Sequence, residues 1–182
     1  YWELHPSADA AAVRSLDEAC EGTEALLRRA VKEHLESDVP VATFLSGGID
    51  SSLVTAYAHD IAPGTIKAYS IGFAESYFDE SPFARQTAEK LGVPIAVEMF
   101  DEATARARLP DALLAYDEPF GDSSSLATYL LSSHVARDYK VALGGDGGDE
   151  VFAGYKKYMV AHLRRPFAAV PRIRDLVGHA LG

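Results

Sequence analysis

The stretch Leu45-Ser46-Gly47-Gly48-Ile49-Asp50-Ser51-Ser52 constrains the fold more than any other part of this chain. Before it comes Pro40 and a continuous apolar run at 41–45; after it comes a helix-patterned segment at 51–60 carrying Leu53, Val54, Ala56, Tyr57 and Ala58. A short apolar run without alternation, bounded by turn residues, is expected to be a strand buried on both faces of a parallel sheet. Strand, glycine loop and helix in that order build a phosphate site, because the loop amides and the positive end of the helix point at the same ligand. Ser46, Ser51 and Ser52 add hydroxyl donors. The loop has neither the lysine nor the spacing of G-x-x-x-x-G-K-[ST], so a lysine grip on a transferred γ-phosphate finds no support.

The rest of the chain repeats the strand-then-helix alternation. Ser15-Leu16-Asp17-Glu18 has capping-box spacing and predicts a helix whose apolar positions include Leu16, Ala19, Cys20, Leu27, Val31 and Leu35, which assigns Cys20 to the core. A second strand is expected at 66–73. Glu75, Asp79 and Glu80 then read as a solvated acidic loop, and Ser81 caps a helix with Pro82 at its first position and Gly92 at its end. A third strand is expected at 94–99, a helix broken or kinked at Pro110 over 101–116, a polar loop at 117–125, a helix at 125–137 and a strand at 140–143. That strand runs into a second glycine loop, Gly144-Gly145-Asp146-Gly147-Gly148-Asp149-Glu150. Residues 151–182 are helical in pattern and carry Lys156, Lys157, Arg164, Arg165, Arg172 and Arg174. The prediction is an α/β fold, a mainly parallel sheet flanked by helices, with ligands beyond the carboxyl ends of the strands.

Asp50 is out of place in a phosphate cradle unless a cation separates it from the ligand, and a hard oxygen donor suits magnesium. Asp149 supplies a matching carboxylate, so the pair is expected to hold magnesium on a polyphosphate and neutralise charge on a leaving group. The formal charge of −10 argues against binding long nucleic acids, whose affinity comes from neutralised phosphates. The single cysteine forms no internal disulfide, which fits a reducing, cytoplasmic setting, and no apolar run is long enough to span a bilayer. There is no G-x-S-x-G and no H-E-x-x-H. Glu150 stands where a dinucleotide fingerprint begun at Gly145 requires its last glycine, which excludes hydride chemistry.

Residues 46–52 resemble the PP-loop (S-G-G-x-D-S-S) of the ATP pyrophosphatases. The chain as a whole, over about residues 15–160, resembles the synthetase domain of glutamine-dependent asparagine synthetases. The resemblance is carried by Ser70-Ile71-Gly72-Phe73, Phe78-Asp79-Glu80-Ser81, Asp117-Glu118-Pro119-Phe120 with Asp122-Ser123-Ser124, and the block from Gly144 to Tyr155. It implies a Rossmann-like adenine nucleotide α-hydrolase fold and an AMP-forming ligase. A carboxylate attacks the α-phosphorus of ATP, pyrophosphate leaves, and an amine captures the acyl-adenylate; in asparagine synthetases the acid is aspartate and the amine ammonia from glutamine. Carried over by position, Leu45, Ile71, Gly144 and Gly145 would contact the nucleotide and Ser46, Gly47, Gly48, Asp50, Ser51 and Ser52 the pyrophosphate. Asp50 and Asp149 would hold Mg2+, Asp146 would orient the amine or take its proton, and Asp122, Ser123 and Ser124 would line the acid pocket. Relatives that close β-lactam or lasso-peptide rings share the adenylation with another acid and amine, and a nucleotide-binding module without turnover is a further alternative.

The resemblance also implies partners: small-molecule substrates (ATP, aspartate, ammonia or glutamine) and a glutaminase domain in the same polypeptide, with a homodimer allowed. Residues 1–14 resemble the linker after that domain, leaving 15–182 as a synthetase domain truncated at its C-terminus. The chain departs from the family at 94–98, Pro94-Ile95-Ala96-Val97-Glu98, where relatives often carry a histidine. The adenylation-site lysine of the family is expected beyond residue 182; neither Lys156 nor Lys157 takes that role.

Overall fold

The computed structural model describes residues 15–168 except Ser76, Phe78, Pro119 and Ser123, and for 164–168 the backbone alone. The chain divides into two compact units, Tyr1–Gly144 and Gly145–Gly182.

The first unit is built on a four-stranded sheet: β1 (Val41–Phe44), β2 (Lys67–Phe73), β3 (Ile95–Phe100) and β4 (Val141–Leu143). Its order is β3-β2-β1-β4 and every pairing is parallel. The expected α/β architecture is therefore present. The helices are α1 (Leu16–His34), α2 (Ile49–Ile61), α3 (Ser81–Leu91), α4 (Glu102–Leu114) and α5 (Ser124–Val135). Among the described residues no helix is long and apolar enough to cross a membrane.

Two apolar layers sandwich the sheet, because successive strand residues face opposite sides. On one side Leu45, Ile66 and Ala68 meet Val31 of α1, Ala58 of α2 and Ala84 and Ala88 of α3. On the other, Ala42 and Tyr69 meet Val135 of α5. The small residues Ala42, Ala58, Ala68 and Ala84 are fully buried, which lets helix and sheet backbones approach closely. Tyr69 is fully buried yet satisfied, its hydroxyl donating to Asp138 Oδ2 at 2.7 Å. That bond holds the Asp138 carboxyl below its ordinary range, and burial raises the Tyr69 hydroxyl.

Two local expectations are corrected. Cys20 is exposed, because α1 turns a stripe through Ala19, Thr23, Leu27 and Val31, four residues apart, toward the core and leaves Leu16, Cys20 and Leu26 outside it. Pro110 lies inside a continuous α4, so of the expected break or kink the break is excluded; the helix is capped by Asp101, whose side chain accepts from the Thr104 N–H at 2.7 Å. Ser15 caps α1 as expected, accepting from the Glu18 N–H at 3.1 Å. The expected linker, residues 1–14, lies outside the described residues.

The second unit contributes α6 (Gly148–Val151) and α7 (Lys156–Ala168).

Candidate functional site

β1 to β3 step outward in sequence order, and the chain then crosses back to place β4 on the other flank of β1. The direction of winding reverses between β1 and β4, which is where an open parallel sheet leaves a crevice beyond its carboxyl ends. Thr43 pairs with Leu143, so Leu45 and Gly144 leave the sheet from neighbouring strand ends. Leu45 is 1% exposed and its N–H donates to Tyr69 C=O at 2.9 Å, which ties the start of the loop to β2 two residues before Ile71. Ile71 thus lies on β2, with Leu45 and Gly144 just past the ends of the adjacent β1 and β4, and the first loop leaves from the central strand of the three.

The loop itself is held by its serines. Ser51, 8% exposed, places its Oγ 3.2 Å from the Ser46 N–H, 3.0 Å from Ser46 Oγ and 3.3 Å from the Gly48 carbonyl. Ser46 Oγ also accepts from the Gly48 N–H at 3.2 Å. Ser51 therefore staples the loop from inside. α2 has glycine at its N-cap and no side-chain cap, and its first closing bond is Ser52 N–H to Gly48 C=O at 3.1 Å. Its first-turn amides are left to an outside acceptor, the arrangement that receives phosphate.

A residue that sequence reasoning missed fixes this loop from the side. Gly47 has φ +86, and a Cβ there would stand 2.6 Å from Phe83 Cβ and 2.7 Å from the Ala84 nitrogen. The first turn of α3 lies flat against it. That turn is pinned in place by Asp79, whose Oδ1 accepts from the Ser81 N–H at 3.0 Å and also crowds Gly72 at the end of β2. The Ser81 hydroxyl and amide hold the Asp79 carboxyl below its usual range. Asp79 is thus a tether between β2 and α3 rather than solvated surface, and Glu80, not Ser81, is the N-cap residue. The available signal was its position two residues before Ser-Pro, a helix start.

The second loop is organised within its own unit. Gly147, φ +91, is the N-cap of α6, and the Gly148 N–H donates to Gly145 C=O at 3.3 Å. Glu150 accepts the Tyr155 hydroxyl at 2.7 Å, which lowers the Glu150 carboxyl and pushes Tyr155 up to about 12. The carboxylates of Asp146 and Asp149, like that of Asp50 in the first loop, make no hydrogen bond or ion pair among the described residues. Asp122, expected at the acid pocket, accepts from the N–H of Ser124, the first residue of α5, at 2.8 Å; the amide and hydroxyl of Ser124 hold its carboxyl low. Ser124 is the exposed first residue of that helix, and Ser123 lies outside the described residues.

Taken each within its own unit, Asp50 and Asp149 are unpartnered carboxylates of the hard-oxygen kind that magnesium takes alongside phosphate and water. No cluster of three or more His, Cys, Asp or Glu suited to a metal occurs among the described residues.

Comparison with known proteins matches residues 22–182 to the asparagine synthase family. The chain is 35% identical over 141 residues to the glutamine-hydrolyzing asparagine synthetase 1 of Bacillus subtilis, covering 78% of this chain and 22% of that protein. It is also 35% identical over 190 residues to the amidase chyE of Penicillium rubens, covering 96% of this chain and 28% of that protein. Among solved structures, the glutamine-dependent NAD+ synthetase of Acinetobacter baumannii in complex with ADP superposes with a TM-score of 0.53 at 20% identity, over 85% of this chain and 29% of that one. The shared fold is that of the PP-loop ATP pyrophosphatases. This chain spans less than a third of each of these proteins.

Proposed function

Because the chain belongs to the asparagine synthase family, we propose that it is the adenylating part of an ATP-dependent amide ligase that makes asparagine. The observation that carries this reading is the reversal of winding between β1 and β4, with an uncapped helix and a serine-stapled glycine loop on the central strand end. ATP contacts Leu45, Ile71, Gly144 and Gly145 and sets its phosphates on the amides and hydroxyls of Ser46, Gly47, Gly48 and Ser52, while Ser51 keeps the loop in shape.

The side-chain carboxylate of aspartate attacks the α-phosphorus, the bond from that phosphorus to the bridging oxygen breaks, and pyrophosphate leaves. Ammonia then adds to the acyl carbon, loses a proton, and expels AMP. Asp146, an unpaired carboxylate, orients the ammonia or takes that proton. Asp50 and Asp149 would each offer a carboxylate to magnesium, which would supply charge neutralisation for the departing pyrophosphate. Asp122, Ser123 and Ser124 line the acid pocket, and since Asp122 also accepts from the first amide of α5, its contribution there includes placing the helix start. Ammonia arises from glutamine in a glutaminase domain of the same polypeptide, the enzyme is cytoplasmic, and a homodimer is compatible with this arrangement.

The amidase relative, at the same identity as the asparagine synthetase, favours a second reading in which the adenylation is retained and the acid and amine differ. The deciding experiment is product analysis on the full-length protein with ATP, magnesium, aspartate, and ammonia or glutamine. AMP and pyrophosphate in an aspartate-dependent burst support the first reading, and AMP formation that requires another carboxylate supports the second. ADP and phosphate would refute both. Asp50→Ala and Asp149→Ala are each expected to lower the rate by roughly a hundredfold or more, the loss that follows from a few kcal/mol of leaving-group stabilisation.

A further inference from the structure

Glu150, Gly154 and Tyr155 lie in the block after β4 but have no part in the chemistry above, and their geometry gives them a common one. α6 is a single turn that ends by folding back. The Phe152 N–H donates to Gly148 C=O at 2.8 Å, Ala153 adopts φ +57, and the Gly154 N–H donates to Asp149 C=O at 2.9 Å. This is the six-to-one closure of a helix end through a left-handed residue, a place usually taken by glycine. Alanine occupies it here at a cost of about 1 kcal/mol, so the turn is held by its surroundings.

The closure lays Gly154 directly under the Asp149 side chain. A Cβ on residue 154 would collide with Asp149 Oδ1, stand 2.9 Å from its Cγ and 3.2 Å from its Cα. The next residue, Tyr155, returns its hydroxyl to Glu150 at 2.7 Å. Lys157 sits 4.4 Å over the Tyr155 ring and holds the ring against the turn. The ring of contacts is thus closed: Tyr155 bonds the neighbour of Asp149, and Gly154, just before Tyr155, is the floor on which the Asp149 carboxylate rests.

Resting on the assignment of Asp149 to magnesium, we propose that Tyr155 is a positioning residue that engages Glu150, keeps Gly154 beneath Asp149, and so presents the Asp149 carboxylate alone to the cation. Asp149 and Glu150 are consecutive acids, and two loose carboxylates would compete for one ion in several geometries. A phenol-to-carboxylate bond is charge-assisted, and it withdraws Glu150 from that competition. A ligand whose side chain is held by its supporting contacts meets the ion already ordered, which is how groups one step removed from a metal raise its affinity.

The test titrates Mn2+ as the probe ion into full-length protein saturated with α,β-methylene ATP and counts free Mn2+ by electron paramagnetic resonance. Tyr155→Phe is expected to weaken Mn2+ binding by about tenfold. Glu150→Gln, which keeps an acceptor for the phenol, is expected to bind Mn2+ close to wild type, whereas Glu150→Ala, which removes the competing carboxylate but also the anchor of Tyr155, falls between wild type and Tyr155→Phe. Wild-type Mn2+ affinity in Tyr155→Phe overturns the proposal, as does an equal loss in Glu150→Gln and Glu150→Ala. Circular dichroism checks that each variant is folded; should Tyr155→Phe fail to fold, the Gln and Ala substitutions at Glu150 carry the same comparison. Unchanged Mn2+ affinity in Asp149→Asn would remove the premise itself, a result distinct from loss of the Tyr155 effect alone.

Discussion

At residue 47 the chain needs glycine for two reasons that hold before any ligand is bound. The backbone is left-handed there, and the first turn of α3 leaves no room for a Cβ, with Phe83 and Ala84 atoms at 2.6–2.7 Å. Gly64 also has a positive φ of +77 but faces open space. Gly47→Ala is therefore expected to cost roughly 2–4 kcal/mol, strain plus overpacking, and to abolish ATP binding, against about 1 kcal/mol for Gly64→Ala. Denaturant midpoints of the two variants check this; equal losses would show that Phe83 yields. Tyr155 supplies a pH signature of the second loop. Its hydroxyl titrates high, at about 12, because Glu150 accepts its proton, and the same bond holds Glu150 low. A raised phenol contributes stability below its ordinary value and loses it as pH rises through about 12; a lowered carboxyl contributes above its ordinary value and loses it as pH falls through the still lower folded value. Spectrophotometric titration of tyrosinate should show one component near pH 12 that disappears in Tyr155→Phe.

At the scale of elements, helix starts explain several acidic residues that pattern alone left ambiguous. Asp101 caps α4, while Asp122 and Asp79 accept from the first residues of α5 and α3. Each carboxylate meets amides that have no partner within the helix, which a loop position in sequence suggests but does not establish. The apolar stripe of α1 shows the converse. Leu16, Cys20 and Leu26 all fit a helical apolar pattern, yet the helix touches the core along a narrower line ending at Val31. The thiol of Cys20 is accordingly expected to react stoichiometrically with a chromogenic disulfide in the native protein, without loss of ellipticity. Protection of Cys20 until denaturant is added would restore the buried assignment.

Over the whole molecule, Tyr69 ties distant parts of the chain together. It is fully buried in the centre of the sheet, packs with Ala42 and Val135, and reaches Asp138, 69 residues away, just before β4. Tyr69→Ala is expected to cost about 3–5 kcal/mol through the cavity it leaves. Tyr69→Phe keeps the ring and should lower Tm only slightly, with a weaker acid dependence because Asp138 no longer gains a proton donor. Calorimetry over pH 3–7 separates the two, and a Tyr69→Phe loss as large as that of Tyr69→Ala would place the stability in the hydrogen bond. The sequence by itself determined the kinds of elements and most of their order, since buried parallel strands and glycine loops after them are local patterns in 41–52 and 140–150. It also determined the family, through motifs whose chemistry is local. Only the tertiary structure decided that β4 returns beside β1, that Gly47 is pressed by α3, that Ser51 faces inward and that Cys20 faces out. Those outcomes depend on which surfaces meet across tens of residues, and the local pattern of a chain does not contain its distant neighbours.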